Sequence, residues 1–202
     1  MNTMSTKIRK YELKARAESQ RETRDRIAKV TAELHEEKGV AHTTVAEIAR
    51  RAGVTRLTVY NHFADLSELL PACAAHYEQL HPTPDFRSVL AEGDASERLR
   101  GVLGLVYRWY RETEPMYGKL FSDRASVPEL DRFLELNADR MLDGLANDLA
   151  TGFAVRTQKA ERLHALVRLA LDFWTWRRLS RDGLDDDDAA DLMAAAVATG
   201  GT

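Results

Sequence analysis

TVAEIARRAGVTRLTVYNHF, residues 44–63, has the spacing of two short helices joined by a tight turn. Val45, Ile48, Ala49 and Ala52 recur at i, i+3, i+4 and i+7, one buried helical stripe. Thr44 is the expected N-cap. Its hydroxyl accepts the amide of Glu47 while the Glu47 carboxylate reaches back to the amide of Thr44, a capping box. Gly53 ends the first helix in a left-handed conformation that other residues adopt only at a cost. Thr55 caps the next helix, Arg56 to about His62, whose Val59 packs back on the first together with Phe63, four residues on. The other side chains, Arg56, Leu57, Thr58, Tyr60, Asn61 and His62, then face outward. Hydrogen-bonding groups on the open side of a short helix are what base edges and phosphates of the DNA major groove require. Two ordinary surface helices are the competing reading, and the turn chemistry weighs against it.

The run AEIARRAGVTRLTVYNHFADLSELL, residues 46–70, resembles the DNA-binding signature of TetR-family transcription regulators, and the likeness extends over about Arg24 to Leu80. The resemblance implies that Thr55, Arg56, Thr58, Tyr60, Asn61 and His62 touch operator bases or backbone and that Thr44 meets a phosphate. Two positions depart from the family pattern. Leu57 stands where the family often has glycine or another small residue, so it presses on a thymine methyl or holds the helix slightly off the groove. After Phe63, where a basic residue usually anchors a phosphate, Ala64-Asp65-Leu66-Ser67 supplies an acid. The resemblance also implies an all-α fold, with an N-terminal three-helix helix-turn-helix DNA-binding domain joined to a helical ligand-binding and dimerisation domain.

Composition agrees with helices. The 202 residues are 44% hydrophobic, 7% aromatic and 30% charged with only five prolines, enough apolar content for a packed core and a bias away from strands. The net charge of −3 is unevenly placed: residues 1–62 carry 13 Lys and Arg against 8 Asp and Glu, a balance of +5, and the remainder carries 16 against 24, a balance of −8. A phosphate backbone attracts the first part and repels the second. Cys73 is the only cysteine; no intrachain disulfide is possible and a buried structural thiol in a reducing cytoplasm is expected. Residues 1–20 hold no apolar core of a signal peptide and no stretch of 18 apolar residues occurs, so a cytoplasmic protein without a membrane span is expected.

Along the chain, residues 1–20 read as a flexible basic arm with Lys7, Arg9, Lys10, Lys14 and Arg16, either a solvated or partly helical tail or a segment that tracks a minor groove or phosphates. The first helix is expected over about Glu22 to Lys38, stopped by Gly39. Residues 21–80 form the DNA-binding domain with its linking helix, Leu66 to His81, in which Pro71 predicts a kink or break near Leu70. His81-Pro-Thr-Pro-Asp-Phe marks the linker, and residues 84–202 form the effector-binding and dimerisation domain. There, helices are expected over about Asp94–Glu112, Met116–Ser122, Pro128–Ala150, Thr157–Arg181 and Asp185–Ala198. Asp185 to Asp188 suit an N-cap and a first turn stabilised by the helix dipole. Between Leu163 and Leu179 apolar residues cover nearly every side, which fits a helix with one face inside the domain and the other against a second copy. Leu192, Met193 and Val197 are expected to complete that homodimer interface through the last two helices, as the family likeness also implies.

Trp109, Tyr110, Met116, Tyr117 and Phe121, with Phe133, Met141, Leu145, Phe173 and Trp174, are large groups on several helices of this second region. If they converge they form an apolar effector pocket with a few hydroxyl and indole donors; an ordinary helical core is the equal alternative. Gly101 and Gly104, one turn apart, point to close helix packing or room for a ligand. Catalytic signals are poor: Glu161-x-x-His164 stands alone, and no phosphate loop, nucleophile elbow or Cys/His cluster occurs. No cofactor and no metal are expected. The resulting expectation is a homodimeric regulator, a repressor released from a palindromic operator of double-stranded DNA by a small, largely apolar effector. The alternative is an effector-independent DNA-binding accessory protein acting through protein contacts; a helical enzyme is a distant third.

Overall fold

The computed structural model describes residues 3–153 and 157–201. Every regular element among them is helical: α1 (Thr3–Lys38), α2 (Val45–Ala52), α3 (Arg56–His62), α4 (Leu66–Leu80), α5 (Arg87–Ala91), α6 (Ala95–Asp123), α7 (Pro128–Leu134), a π-helical turn (Glu135–Asp139), α8 (Arg140–Thr151), α9 (Thr157–Ala170), α10 (Phe173–Arg181) and α11 (Asp186–Gly201). They fall into two compact units, Met1–Pro82 with Gly118–Phe133, and Thr83–Tyr117 with Leu134–Thr202.

The first unit is built on the inner face of α1. Ile27, Ala28, Val30 and Leu34, at helical spacing, form one core with Ile48, Ala49 and Ala52 of α2, Val59 and Phe63 around α3, and Leu69 of α4. Each large apolar side chain buried this way contributes about 1.5–3 kcal/mol, which is why helices as short as α2 and α3 hold their shape here.

Several boundaries differ from the expected ones. α1 begins at Thr3 rather than near Glu22, so the basic stretch is helix from there on. It contains no glycine or proline and is rich in Lys, Arg, Glu and Ala; Lys14 and Glu18, one turn apart, pair at 3.8 Å. Pro71 lies inside α4 without breaking it, and α6 runs unbroken through Pro115, where two helices were expected. In each case proline removes a bond from the carbonyl four residues earlier, at Ser67 and Arg111, on exposed positions that water reaches. The helix expected over Pro128–Ala150 is divided by the π-helical turn at Glu135–Asp139.

The opposite correction occurs in the second unit, where the single helix expected over Thr157–Arg181 stops at Ala170 and restarts at Phe173. Among the backbone groups the break frees are the amides of Trp174 and Thr175 and the carbonyls of Ala170 and Leu171. Asp172 Oδ1 accepts both amides, from Trp174 at 2.8 Å and Thr175 at 3.2 Å. Both carbonyls are taken by buried phenols of α6: Tyr107 donates to Ala170 O at 2.6 Å and Tyr110 to Leu171 O at 2.8 Å. Four of the backbone groups at the break are thus satisfied by side chains. Replacing Tyr107 by Phe is expected to leave a buried carbonyl unpaired and to cost about 1–3 kcal/mol; urea unfolding checks this, and a midpoint equal to wild type contradicts it.

The aspartate run also does more than cap. Asp185 accepts the amide of Asp188 at 2.8 Å, while Asp186 binds Trp176 Nε1 at 2.9 Å and Arg111 Nε at 2.7 Å. Burial pushes the Asp186 carboxyl up, but these two donors outweigh it and hold the group below its ordinary value. Asp187 pairs with Arg108 and Asp191 with Arg100, so α11 is fastened along α6. Gly101 lies against α5: a Cβ there would meet Val89 Cγ1 at 2.6 Å. Between Leu163 and Leu179 one side stays open within a single chain, since Leu169 is 54% and Trp174 42% exposed. Val197, assigned from sequence to the interface between copies, is fully buried inside its own unit.

Candidate nucleic-acid interface

The turn between α2 and α3 is set by three local devices. Thr44 caps α2, its Oγ1 accepting the amide of Glu47 at 3.3 Å. The return half of the expected capping box does not form, because the Glu47 carboxylate pairs with Lys38 instead. Gly53 takes φ +67°, and the Val54 amide closes on Ala49 O at 2.9 Å. Thr55 then caps α3, accepting from the Thr58 amide at 3.1 Å.

On α3 only Val59 is buried, and Phe63 follows it into the core. Leu57 is 68% and Tyr60 53% exposed; Thr44, Thr55, Arg56 and Asn61 are exposed, and Thr58 and His62 half-buried. Among the described residues, the side chains of Arg56, Tyr60 and Asn61 have no hydrogen-bond or ion-pair partner. An arginine, a phenol and a carboxamide with their donors and acceptors free form a surface able to hydrogen-bond to polar edges of another molecule.

Sequence reasoning missed how α1 fixes this surface. Arg26 Nε donates to Ala52 O at the end of α2, at 2.9 Å. Arg24 Nη1 donates to His62 O at the end of α3, and its guanidinium lies 3.9 Å from the centre of the Phe63 ring. A cation at each helix C-terminus satisfies unpaired carbonyls and complements the dipole. Arg51 holds Glu37 with two bonds, 2.6 and 2.5 Å, which keep that carboxyl below its ordinary value. The acid after Phe63 serves the fold: Asp65 caps α4, accepting from Ser67 N at 2.8 Å and Glu68 N at 3.3 Å. Ahead of α2, Gly39 takes φ +88° and a Cβ there would strike the Asp123 carboxylate, whose Oδ2 accepts the Ala41 amide at 3.1 Å. Cys73 is buried, its thiol pushed up to about 12 by desolvation.

The ten residues considered for an effector pocket do not form one set. Trp109, Tyr110, Met116, Leu145 and Phe173 are buried in the second unit, Tyr117 is half-buried, and Met141 and Trp174 are substantially exposed. Phe121 and Phe133 belong to the first unit. Five of the rings pack in succession, tilted for Tyr117 against Trp109 (4.8 Å) and Trp109 against Tyr110 (5.6 Å), and edge-to-face for Tyr110 against Phe173 (5.2 Å) and Phe173 against Trp174 (5.2 Å). Trp176, not anticipated, joins them at 5.4 Å from Phe173. Among the described residues, surface clefts lie beside α3, between α6 and α11 and between α8 and α9, and none of these is lined by any of the ten. Among the described residues no helix is long and apolar enough to cross a membrane, and no group of three or more His, Cys, Asp or Glu is placed to hold a metal ion.

The family model for bacterial regulatory proteins of the tetR family matches residues 27–73, from the core of α1 to Cys73 of α4. The uncharacterized HTH-type transcriptional regulator Rv2250c of Mycobacterium tuberculosis is 30% identical over 183 residues, spanning 88% of this chain and 89% of that protein. A TetR-like transcriptional regulator from Rhodococcus sp. RHA1 shares the fold with a TM-score of 0.61 at 20% identity, over 88% of this chain and 94% of that one. So does native NalD of Pseudomonas aeruginosa, the secondary repressor of the MexAB-OprM multidrug efflux pump, with a TM-score of 0.58 at 23% identity over 89% and 96%. With the motif, the helix order and a full-length relative in agreement, the chain belongs to the TetR family of DNA-binding transcriptional regulators, a repressor-type family whose members typically dimerise and are not enzymes.

Proposed function

We propose that the protein is a homodimeric cytoplasmic repressor that reads a palindromic operator with one α3 from each copy and is released by a small, largely apolar effector. The observation that carries the reading is the unpartnered Arg56, Tyr60 and Asn61 set on a helix whose other side is locked into the core. Thr44, Thr55, Leu57, Thr58 and His62 complete the proposed contact surface. The open side of the last helices, with Leu169 and Leu192 exposed, supports pairing of two copies through α9 and α11, which would present two recognition helices about 34 Å apart to successive major grooves. The effector would enter among the second unit's aromatic rings, between Tyr117 and Trp174, and bind the DNA-releasing state more tightly than the DNA-fitting one.

Arg56→Ala and Tyr60→Ala are each expected to weaken operator binding about 5- to 150-fold, from a discrimination of about 1–3 kcal/mol per good base contact, with dimerisation intact. Gel shift on the duplex upstream of its own gene, with sedimentation for the oligomer, checks both; undiminished binding by both variants removes α3 as the reader. The direct contact of ring with ring, tilted and edge-to-face, favours a second reading, an effector-independent regulator acting through protein contacts. A screen in which no small apolar molecule releases the bound duplex selects that reading; a releasing compound selects the first.

A further inference from the structure

Beside α3 lies a cleft of ≈ 510 Å³ with Gln20, Arg21 and Arg24 of α1 on one wall and Thr58, Asn61 and His62 of α3 on the other. Its second wall therefore belongs to the surface proposed to face DNA. No carboxylate lines it. Arg24 is committed, donating to the His62 carbonyl and lying on Phe63. Arg21, one helical turn away on the same face, is exposed and has no partner among the described residues. Acids stand at helical spacing on both sides of it, Glu18 and Asp25, yet Glu18 pairs with Lys14 instead. A guanidinium without an ion-pair partner, next to carboxamides, hydroxyl and imidazole in a cleft that no carboxylate lines, is a donor set for a phosphate oxygen pair.

We infer that this cleft seats a backbone phosphate of the bound duplex, with Arg21 as its charged anchor and Gln20 and Asn61 as neutral donors. α1 is then a second DNA-contacting element, one that supplies affinity without reading sequence. The inference rests on the DNA-binding reading above and is tested apart from it. Affinities of the full chain are measured by fluorescence anisotropy over a series of KCl concentrations, on the upstream duplex and on an unrelated one. Arg21→Gln is expected to weaken both several-fold by a common factor and to reduce the slope of log K against log salt by about 0.9. Arg21→Lys, which keeps the charge, is expected to restore most of that slope. Arg56→Ala, by contrast, should cost the upstream duplex more than the unrelated one.

A slope unchanged in Arg21→Gln overturns the inference, and so does a loss confined to the upstream duplex. Displacement of the wild type's dependence on Arg21 by inorganic phosphate at matched ionic strength, with no change of slope, also overturns it, in favour of a small-anion site. Thermal unfolding of Arg21→Gln should match wild type, since the side chain is exposed and makes no hydrogen bond or ion pair among the described residues. If the wild type binds neither duplex, the DNA-binding reading itself fails.

Discussion

Phe63→Ala is expected to lower the stability of the first unit by about 3–5 kcal/mol, a large fraction of the roughly 5–15 kcal/mol that holds a domain folded. The ring is 2% exposed and sits where α1, α2, α3 and α4 meet. Its backbone amide closes the last turn of α3 on Val59 O at 2.9 Å. Truncation would open a cavity among Ile27, Val59 and Leu69, and would remove the surface against which Arg24 is stacked. Arg24 is also the donor to the His62 carbonyl, so α3 loses its C-terminal tie along with its core anchor. Phe63→Leu, which keeps much of the volume, should cost less than about 1.5 kcal/mol if the site repacks. Urea unfolding followed by circular dichroism checks the pair, and an alanine variant as stable as wild type would show that the four helices do not share one core.

The helix-turn-helix was legible because its determinants are local. Thr44, Gly53 and Thr55 each act on amides or carbonyls within a few residues, so spacing alone exposes them. Where a distant partner competes, the sequence misleads: Glu47 satisfies the capping-box pattern but is drawn to Lys38 by the packing of α1 on α2. The break at Asp172 was hidden for the same reason. Apolar residues continue straight through it, and the phenols that make it affordable lie on α6, 63 and 61 residues earlier. Arg24 and Arg26 gave no signal either, because an arginine on an exposed helix position reads as solvated until the carbonyl it caps is known. For the effector residues, apolar composition does not separate a pocket from a core. It also did not reveal that Gly118–Phe133, carrying Phe121 and Phe133, joins the unit that holds α3.

Acid is expected to destabilise the first unit through His35, between pH 6.5 and about 4. The imidazole is buried on α1, with the Cys73 thiol of α4 3.8 Å from Nδ1. Burial lowers its pKa from 6.5 to about 4, and the Asp123 carboxylate, which favours the charged form, only partly opposes this. Cys73 stays protonated throughout the window. The unfolded chain therefore takes up a proton near pH 6.5 that the folded chain refuses until about pH 4. Stability from this residue is complete above 6.5, falls as pH drops, and levels off below 4. At about 1.4 kcal/mol for each tenfold difference in proton affinity, the loss reaches about 3 kcal/mol. Carboxylates that titrate in the same range add their own slope, so the readout is the difference between wild type and His35→Gln in urea unfolding at a series of pH values. The variant can be less stable at neutral pH from lost packing, but its curve should converge on the wild-type curve by about 3 kcal/mol on going from pH 7 to 4. Parallel curves would mean that the imidazole is solvated and that the ring at position 35 serves packing alone.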